Sequence, residues 1–441
     1  MRSLLVAMII FASVPVILLK PYVGVLMWSW ISYMNPHRLT WGFAYSFPFA
    51  MLVGGATLAA WFLSRDKKEF PVTATTVILM TYTVWVSLGT LGAMIPDLAY
   101  EKWLKLIKIL VITYVTMMLI NTRRKIDLLV WVIAGSIAYF GVKGGVFTVL
   151  KGGQHRIFGP PNSFIGENNA LALAEIMVIP LLRYIQLQLT RRIFKWAMGG
   201  AMLMMVFAVL ASYSRGAFIA MSVMLFAIWV KSRKRALLGV LGAISIAAAL
   251  AFMPAKYFER INTLQTYEED ASALGRIDAW LMAFNLAKAK PLFGGGFDVF
   301  ESTDIFLTYN PDAPRARQAH SIYFEVLGEH GFVGLALFLA LGFAALRTCS
   351  STIALAKRNP EFTWARDLAA MIQVSLLGFA AGGAFLSLAS FDLYYHLIAI
   401  AVVTKIVVQG SLKAEAPWSM HGRSAASHAP AAASNRGGVP G

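Results

Sequence analysis

Apolar runs of roughly membrane-spanning length recur along almost the whole chain, and they leave few folds open. They lie near 3–19, 21–34, 44–64, 72–94, 104–120, 127–150, 168–188, 194–212, 215–231, 236–254, 321–346, 368–389 and 392–410. About 20 apolar residues cross a hydrocarbon core of about 30 Å as a helix. Such a segment satisfies its own backbone hydrogen bonds, which lipid cannot do for it. The pattern predicts an all-α polytopic membrane protein. The first two runs are short for a crossing, so one of them is expected not to span, or the two to form a shallow hairpin. The expectation is therefore about twelve transmembrane helices with both termini in the cytoplasm. Met1–Lys20 has the look of a signal peptide, but no soluble domain follows it, so it is read as retained.

The polar residues fit the same picture. Only 14% of the chain is charged, against roughly 25% in soluble proteins. The net charge of +17 is carried mainly by five connections: 64–68, 122–125, 191–195, 231–235 and 347–366. They alternate with the remaining connections, which places all five on the cytoplasmic side. The other side receives 95–103, 151–167, 212–215, 255–320 and the turn at Phe391-Asp392. The basic residues form no continuous face, which argues against nucleic acid as a partner. One cysteine, Cys349, excludes a disulfide framework. Residues 1–410 read as the integral membrane domain. The tail 411–441, rich in Ala, Ser, Pro and Gly, reads as disordered and cytoplasmic.

Residues 255–320 form the one large periplasmic loop, expected to hold short helices. Ala271 to Lys290 has helical composition and ends at Pro291; Gly294-Gly295-Gly296 is expected to be a flexible turn, and 309–314 a loop. Asp298, Glu301 and Asp304 read as a solvated face. No spacing suits a divalent metal, and no phosphate-binding glycine loop is present, so neither metal nor cofactor is expected.

Several cations stand on the side that the charge rule says should lack them. Arg215, in Ser214-Arg215-Gly216, is either an interfacial snorkel or an anion clamp, with Gly216 letting a phosphate approach a helix start. Arg276 and Trp280 share a helical face; they are either a surface ion pair with a membrane anchor, or a phosphate ligand with an indole that stacks on sugar. Arg156 is either part of a structured loop that caps the next helix or a further anion contact. Arg315 and Arg317 either attract an anionic acceptor or are plain solvated charges. His320 sits where the polar stretch meets an apolar run. It is either a capping residue or a base, held neutral by the helix start. Glu325 and Glu329 follow it where ionised groups need a reason.

Gly275-Arg276-x-x-x-Trp280, Gly294-x-Gly296-x-x-x-Phe300 and His320-Ser321-x-Tyr323-x-x-x-Leu327-x-Glu329-x-Gly331-x-x-Gly334 occur in this order. With Ser214-Arg215-Gly216, the set resembles the O-antigen ligase/O-antigen polymerase superfamily of bacterial envelope glycosyltransferases, over about residues 200–400. Met34-Asn35-Pro36-His37-Arg38 is similar to the exosortase-associated putative O-glycosylation ligase branch. The family usually has Asn where this chain has Ser321, which is expected to cap the helix in its place. The resemblance implies a GT-C-like fold in the bacterial inner membrane with a periplasmic site. The donor would be a glycan on undecaprenyl diphosphate and the acceptor lipid A–core. His320, Arg215 and Arg276 would be catalytic, with Arg156, Trp280, Arg315, Arg317, Tyr323 and Glu325 meeting substrate. A protein O-glycosylation ligase or an O-antigen polymerase would use the same donor. A polyprenyl-linked glycan transporter is the reading from another class.

Overall fold

The computed structural model describes residues 1–64, 69–231, 239, 271–357 and 359–425. Nearly all of the apolar run at 236–254, the first part of the loop at 255–270, most of the basic stretches 64–68 and 231–235, Arg358 and the tail residues 426–441 lie outside them. Among the described residues the chain is all helical, without a strand. The helices are α1 (Arg2–Leu19), α2 (Pro21–Met34), α3 (Phe43–Ser46), α4 (Phe49–Leu63), α5 (Ala74–Leu91) and α6 (Pro96–Leu119). There follow α7 (Arg123–Leu150), α8 (Asn168–Gln188), α9 (Arg192–Leu210), α10 (Arg215–Lys231) and α11 (Ala271–Ala289). The last are α12 (Thr303–Tyr309), α13 (Ile322–Ala356), α14 (Thr363–Gly383) and α15 (Asp392–Ala425). Seven of the described helices (α1, α5, α7, α8, α9, α13 and α15) are long and apolar enough to cross a membrane. α15 is continuous past 411, the point where the composition changes.

Close packing follows from small residues. A Cβ on Gly145 of α7 would lie 1.9 Å from the Met204 carbonyl oxygen of α9, so only glycine permits this approach. Close helix contact of this kind substitutes for the hydrophobic drive that lipid cannot supply. α8 is apolar on nearly every face, with Leu171 to Leu182 all buried, and forms the centre of the bundle.

Among the described residues the connections sort onto two ends, in keeping with the charge alternation. At the basic end the Arg123 guanidinium lies 5.2 Å from the Trp364 ring centre, and Lys125 lies 5.0 Å from that of Tyr22. A cavity of about 900 Å³ there brings together Phe70, Asn121, Arg123 and Gln409. At the other end Asn162 donates to the Tyr45 hydroxyl at 3.0 Å, and Asn168 to the Ser212 carbonyl at 2.7 Å. Met94 N–H donates to the Gly295 carbonyl at 2.8 Å.

The start of the chain departs from expectation. The Ser3 hydroxyl donates to the Trp41 carbonyl, which lies at the non-basic end, whereas Tyr22 lies at the basic end. α1 and α2 thus each run from one end to the other. The chain start and the Gln409 turn of α15 lie at opposite ends, not on one side as the twelve-helix reading required.

Candidate active site

The site is built on a broken helix. α13 has non-helical backbone at Gly331, with φ 68° and ψ −171°. The break frees carbonyls of the preceding turn, and the triple glycine takes them up. Gly295 N–H donates to the Gly328 carbonyl at 2.9 Å and Gly296 N–H to that of Glu329 at 3.0 Å. In return Phe332 N–H donates to the Pro291 carbonyl at 2.9 Å. A Cβ on Gly294 (φ +62°) would sit 2.5 Å from the Gly328 oxygen. Gly294-Gly295-Gly296 is therefore a fixed backbone seam and not the flexible turn expected. The break also divides labour. Residues 332–356 alone span about 37 Å at about 1.5 Å per residue, enough for a crossing. The half-helix 322–330, with its glutamates, is left to the site end.

Those glutamates have a partner that the sequence reading missed. Lys102, from α6, places Nζ 3.0 Å from Glu325 Oε1, 2.7 Å from Glu329 Oε1 and 3.0 Å from Asp298 Oδ1. Asp298 belongs to this cluster and not to a solvated face. Its own N–H donates to Glu329 Oε1 at 2.9 Å. Glu325 Oε2 accepts from the Ala389 N–H at 3.1 Å. Glu325 is thus buried in an ion pair behind the site. The available signal was two glutamates four residues apart at a helix start, opposite a lysine near the start of another apolar run.

His320 precedes this half-helix in a left-handed conformation, φ +43°. Such a conformation costs a non-glycine residue about 1–3 kcal/mol and persists where its surroundings impose it. Two hydrogen bonds do so. His320 N–H donates to Ser387 Oγ at 2.9 Å, and the Trp280 indole donates to the adjacent Ala319 carbonyl at 2.8 Å. Trp280 is stacked on Phe324, with ring centres 4.8 Å apart and an interplanar angle of 7°. Tyr323 uses its hydroxyl to bond the Ala380 carbonyl at 2.7 Å. Ser321 stands at the N-cap of α13 but makes no side-chain cap hydrogen bond, so the expected capping role is not played by its hydroxyl.

The electrostatics favour a neutral imidazole. Burial pushes His320 below its usual range, the Arg276 guanidinium pushes it further, and Arg317 adds to this; Glu167 and Glu325 oppose. The residue as a whole stays accessible at the loop surface. Arg317 lies over Gly275, where a Cβ would meet its Nε at 3.0 Å. Arg276, Arg317 and Glu167 thus lie close enough for their charges to act on the His320 ring. Arg315 is exposed on the same loop.

Arg215 opens α10 just after Tyr213, which has φ +56° and donates its hydroxyl to the Gly153 carbonyl at 2.6 Å. Arg156 is exposed nearby, close enough for its charge to act on Tyr213. Gly216 does not open the backbone to a ligand as expected; a Cβ there would lie 2.7 Å from Phe385 Cβ. Phe385 and Ser387 belong to one turn, so α10 and His320 are tied to the same segment.

Among the described residues an all-helical bundle, seven of whose helices are long and apolar enough to cross a membrane, defines a multi-pass membrane protein. Residues 200–339 match the family model described as O-Antigen ligase, so the chain carries a domain of the O-antigen ligase/polymerase superfamily. Residues 1–190 match a second model, described as a family of unknown function (DUF5935). No curated protein matches the chain.

Proposed function

We propose that the protein is an O-antigen ligase: a metal-independent, inverting glycosyltransferase of the bacterial inner membrane with its site on the periplasmic side. It moves a glycan from undecaprenyl diphosphate to a hydroxyl of the lipid A–core oligosaccharide. The observation that carries this reading is His320, strained and accessible beside Arg276 and Arg317, within the segment that matches the ligase family. His320 accepts the proton of the acceptor hydroxyl, a role that contributes about 10²–10⁴-fold. The hydroxyl oxygen bonds to the anomeric carbon from the face opposite the leaving group. The bond from that carbon to the phosphate oxygen breaks, and the lipid diphosphate leaves with the electron pair. Arg215 and Arg276 hold the charge that develops on it. Arg156, Arg315 and Arg317 face phosphorylated acceptor sugars, with membrane lipids around the bundle.

The opposite placement of the chain start and α15 supports an odd number of crossings, and the thirteen apolar runs supply one. The basic end then faces the cytoplasm. A transporter would place such charges in a cavity near the midplane; Arg215 at a helix start, Arg276 in the helix that ends at Ala289 and Arg315 and Arg317 in the loop before His320 support transfer at a surface instead. In cells, His320→Ala and Arg215→Ala are expected to abolish lipopolysaccharide laddering at normal protein level. Normal ladders in either variant would defeat the proposal. Purified protein given one donor and lipid A–core, protein or glycan acceptors separates ligase from O-glycosylation ligase and polymerase.

A further inference from the structure

The N-terminal region, which matches a family of unknown function, reaches into the site of the segment that matches the ligase family. We infer that it completes that site, with Lys102 as a positioning residue for His320. The inference rests on the transfer reading above.

Three carboxylates from two separate segments of the ligase domain converge on one ammonium. Asp298 comes from the turn after the triple glycine, Glu325 and Glu329 from the half-helix. The glutamate side chains are 5% and 3% exposed, and that of Lys102 17%. Without the ammonium, three carboxyl groups would share one enclosed point with no partner for their oxygens, at a cost that would loosen the two segments. Because all three carboxylates take up its Nζ, Lys102 is unsuited to bind a diphosphate itself.

The tie then runs outward to the histidine. Glu325 uses its second oxygen to hold the Ala389 N–H. The same turn offers Ser387 Oγ to the His320 N–H and Phe385 to Gly216 beside Arg215. Through Glu325, Lys102 therefore ties down the connection 384–391, which meets both His320 and the start of α10. The N-terminal region also supplies Glu167, whose charge acts on the His320 ring.

The test uses the purified full chain in lipid nanodiscs, a lipid-linked glycan donor and an acceptor. It compares wild type, His320→Ala, Lys102→Met, Lys102→Arg and the double variant Lys102→Met with Glu329→Gln. Lys102→Met is expected to lower kcat by about 10–100-fold, with donor KM changed by less than about threefold, as a displaced base does. The groups facing His320 are Arg276, Arg317, Glu167 and Glu325. With Lys102 gone, the buried Glu325 loses the charge that offsets its burial, so its action on the His320 ring changes and the acid limb of kcat/KM is displaced from its wild-type position. Lys102→Arg and the double variant, which sheds one stranded carboxylate, each regain part of the loss. If Lys102→Met does not fold, the double variant is read against wild type and is expected to show a smaller fall in kcat with the same split from KM. Wild-type kcat and an unmoved acid limb in Lys102→Met, or in the double variant where only that folds, would overturn the inference while leaving the transfer reading intact. A His320→Ala enzyme as active as wild type would instead bring down the transfer reading and this inference with it.

Discussion

The backbone N–H of His320 donates to Ser387 Oγ at 2.9 Å, and this bond holds a histidine in left-handed backbone. The strain is local and the anchor comes from 67 residues away. Ser387→Ala removes it. A hydrogen bond of this kind is worth about 1 kcal/mol net, enough to let the loop leave its strained conformation part of the time. The expectation is a fall in kcat of about 5–10-fold, with thermal stability nearly unchanged. Steady-state kinetics beside a thermal unfolding curve in detergent check it, and an unaltered kcat rejects the anchor.

The pH dependence follows from the charges around the imidazole. As a general base His320 must be neutral, so activity falls as pH drops through its pKa. Burial and Arg276 hold that pKa below the usual range, and Arg317 adds to it. The acid limb of kcat/KM should therefore lie below the usual histidine pKa of about 6.5. Arg317→Gln removes one cation, raises the pKa and moves the limb to higher pH. A limb that stays in place, or moves down, means that the titrating group is not His320.

How much of this was legible in the sequence depended on range. The helices and the sorting of basic connections are local signals: composition and charge within a window decide them, and the ends meet as the alternation requires. His320 stood out because a single polar residue at a helix start is also a local feature. Lys102 did not, because its partners Glu325 and Glu329 lie 223 and 227 residues further on. A buried ion pair is visible only once the fold has brought both halves together. The triple glycine misled for a related reason. Glycine in a turn reads as freedom, whereas here a Cβ on Gly294 would meet the Gly328 backbone, one on Gly295 the Val299 and Leu286 side chains, and one on Gly296 Ala93. The position of the chain start differs from expectation because the run of α2 is short for a crossing, and it takes long-range contacts of Ser3, Tyr22 and Ser32 to fix the direction of α1 and α2.

The seam between the glycine turn and the broken helix makes a stability prediction. Gly294 and Gly331 have φ of +62° and +68°, and a Cβ on either would fall 2.5 Å from a carbonyl oxygen. Gly294→Ala and Gly331→Ala should each cost at least about 1–3 kcal/mol in backbone strain before the clash is counted. Lower detergent-solubilised yield and a lower melting temperature are the expected readouts. Gly92 and Gly135 have open space at the Cβ position, so alanine there should behave like wild type. Equal behaviour of all four variants would remove the seam from the account.

Trp280 separates two roles for one side chain. Its indole N–H holds the Ala319 carbonyl and its ring is stacked on Phe324, so both features act on the loop that ends at His320. Trp280→Phe keeps a ring for the stack and loses the donor, while Trp280→Ala loses both. The stacked pair adds about 0.5–1.5 kcal/mol beyond its buried area. Stability should therefore fall in the order tryptophan, phenylalanine, alanine, and kcat should follow it. KM for the glycan should change little, because one face of the ring is already covered by Phe324. Had the indole served chiefly to stack on sugar, the order would appear in KM while kcat and melting temperature stayed level. Kinetics of the two variants at saturating and limiting donor distinguish these outcomes.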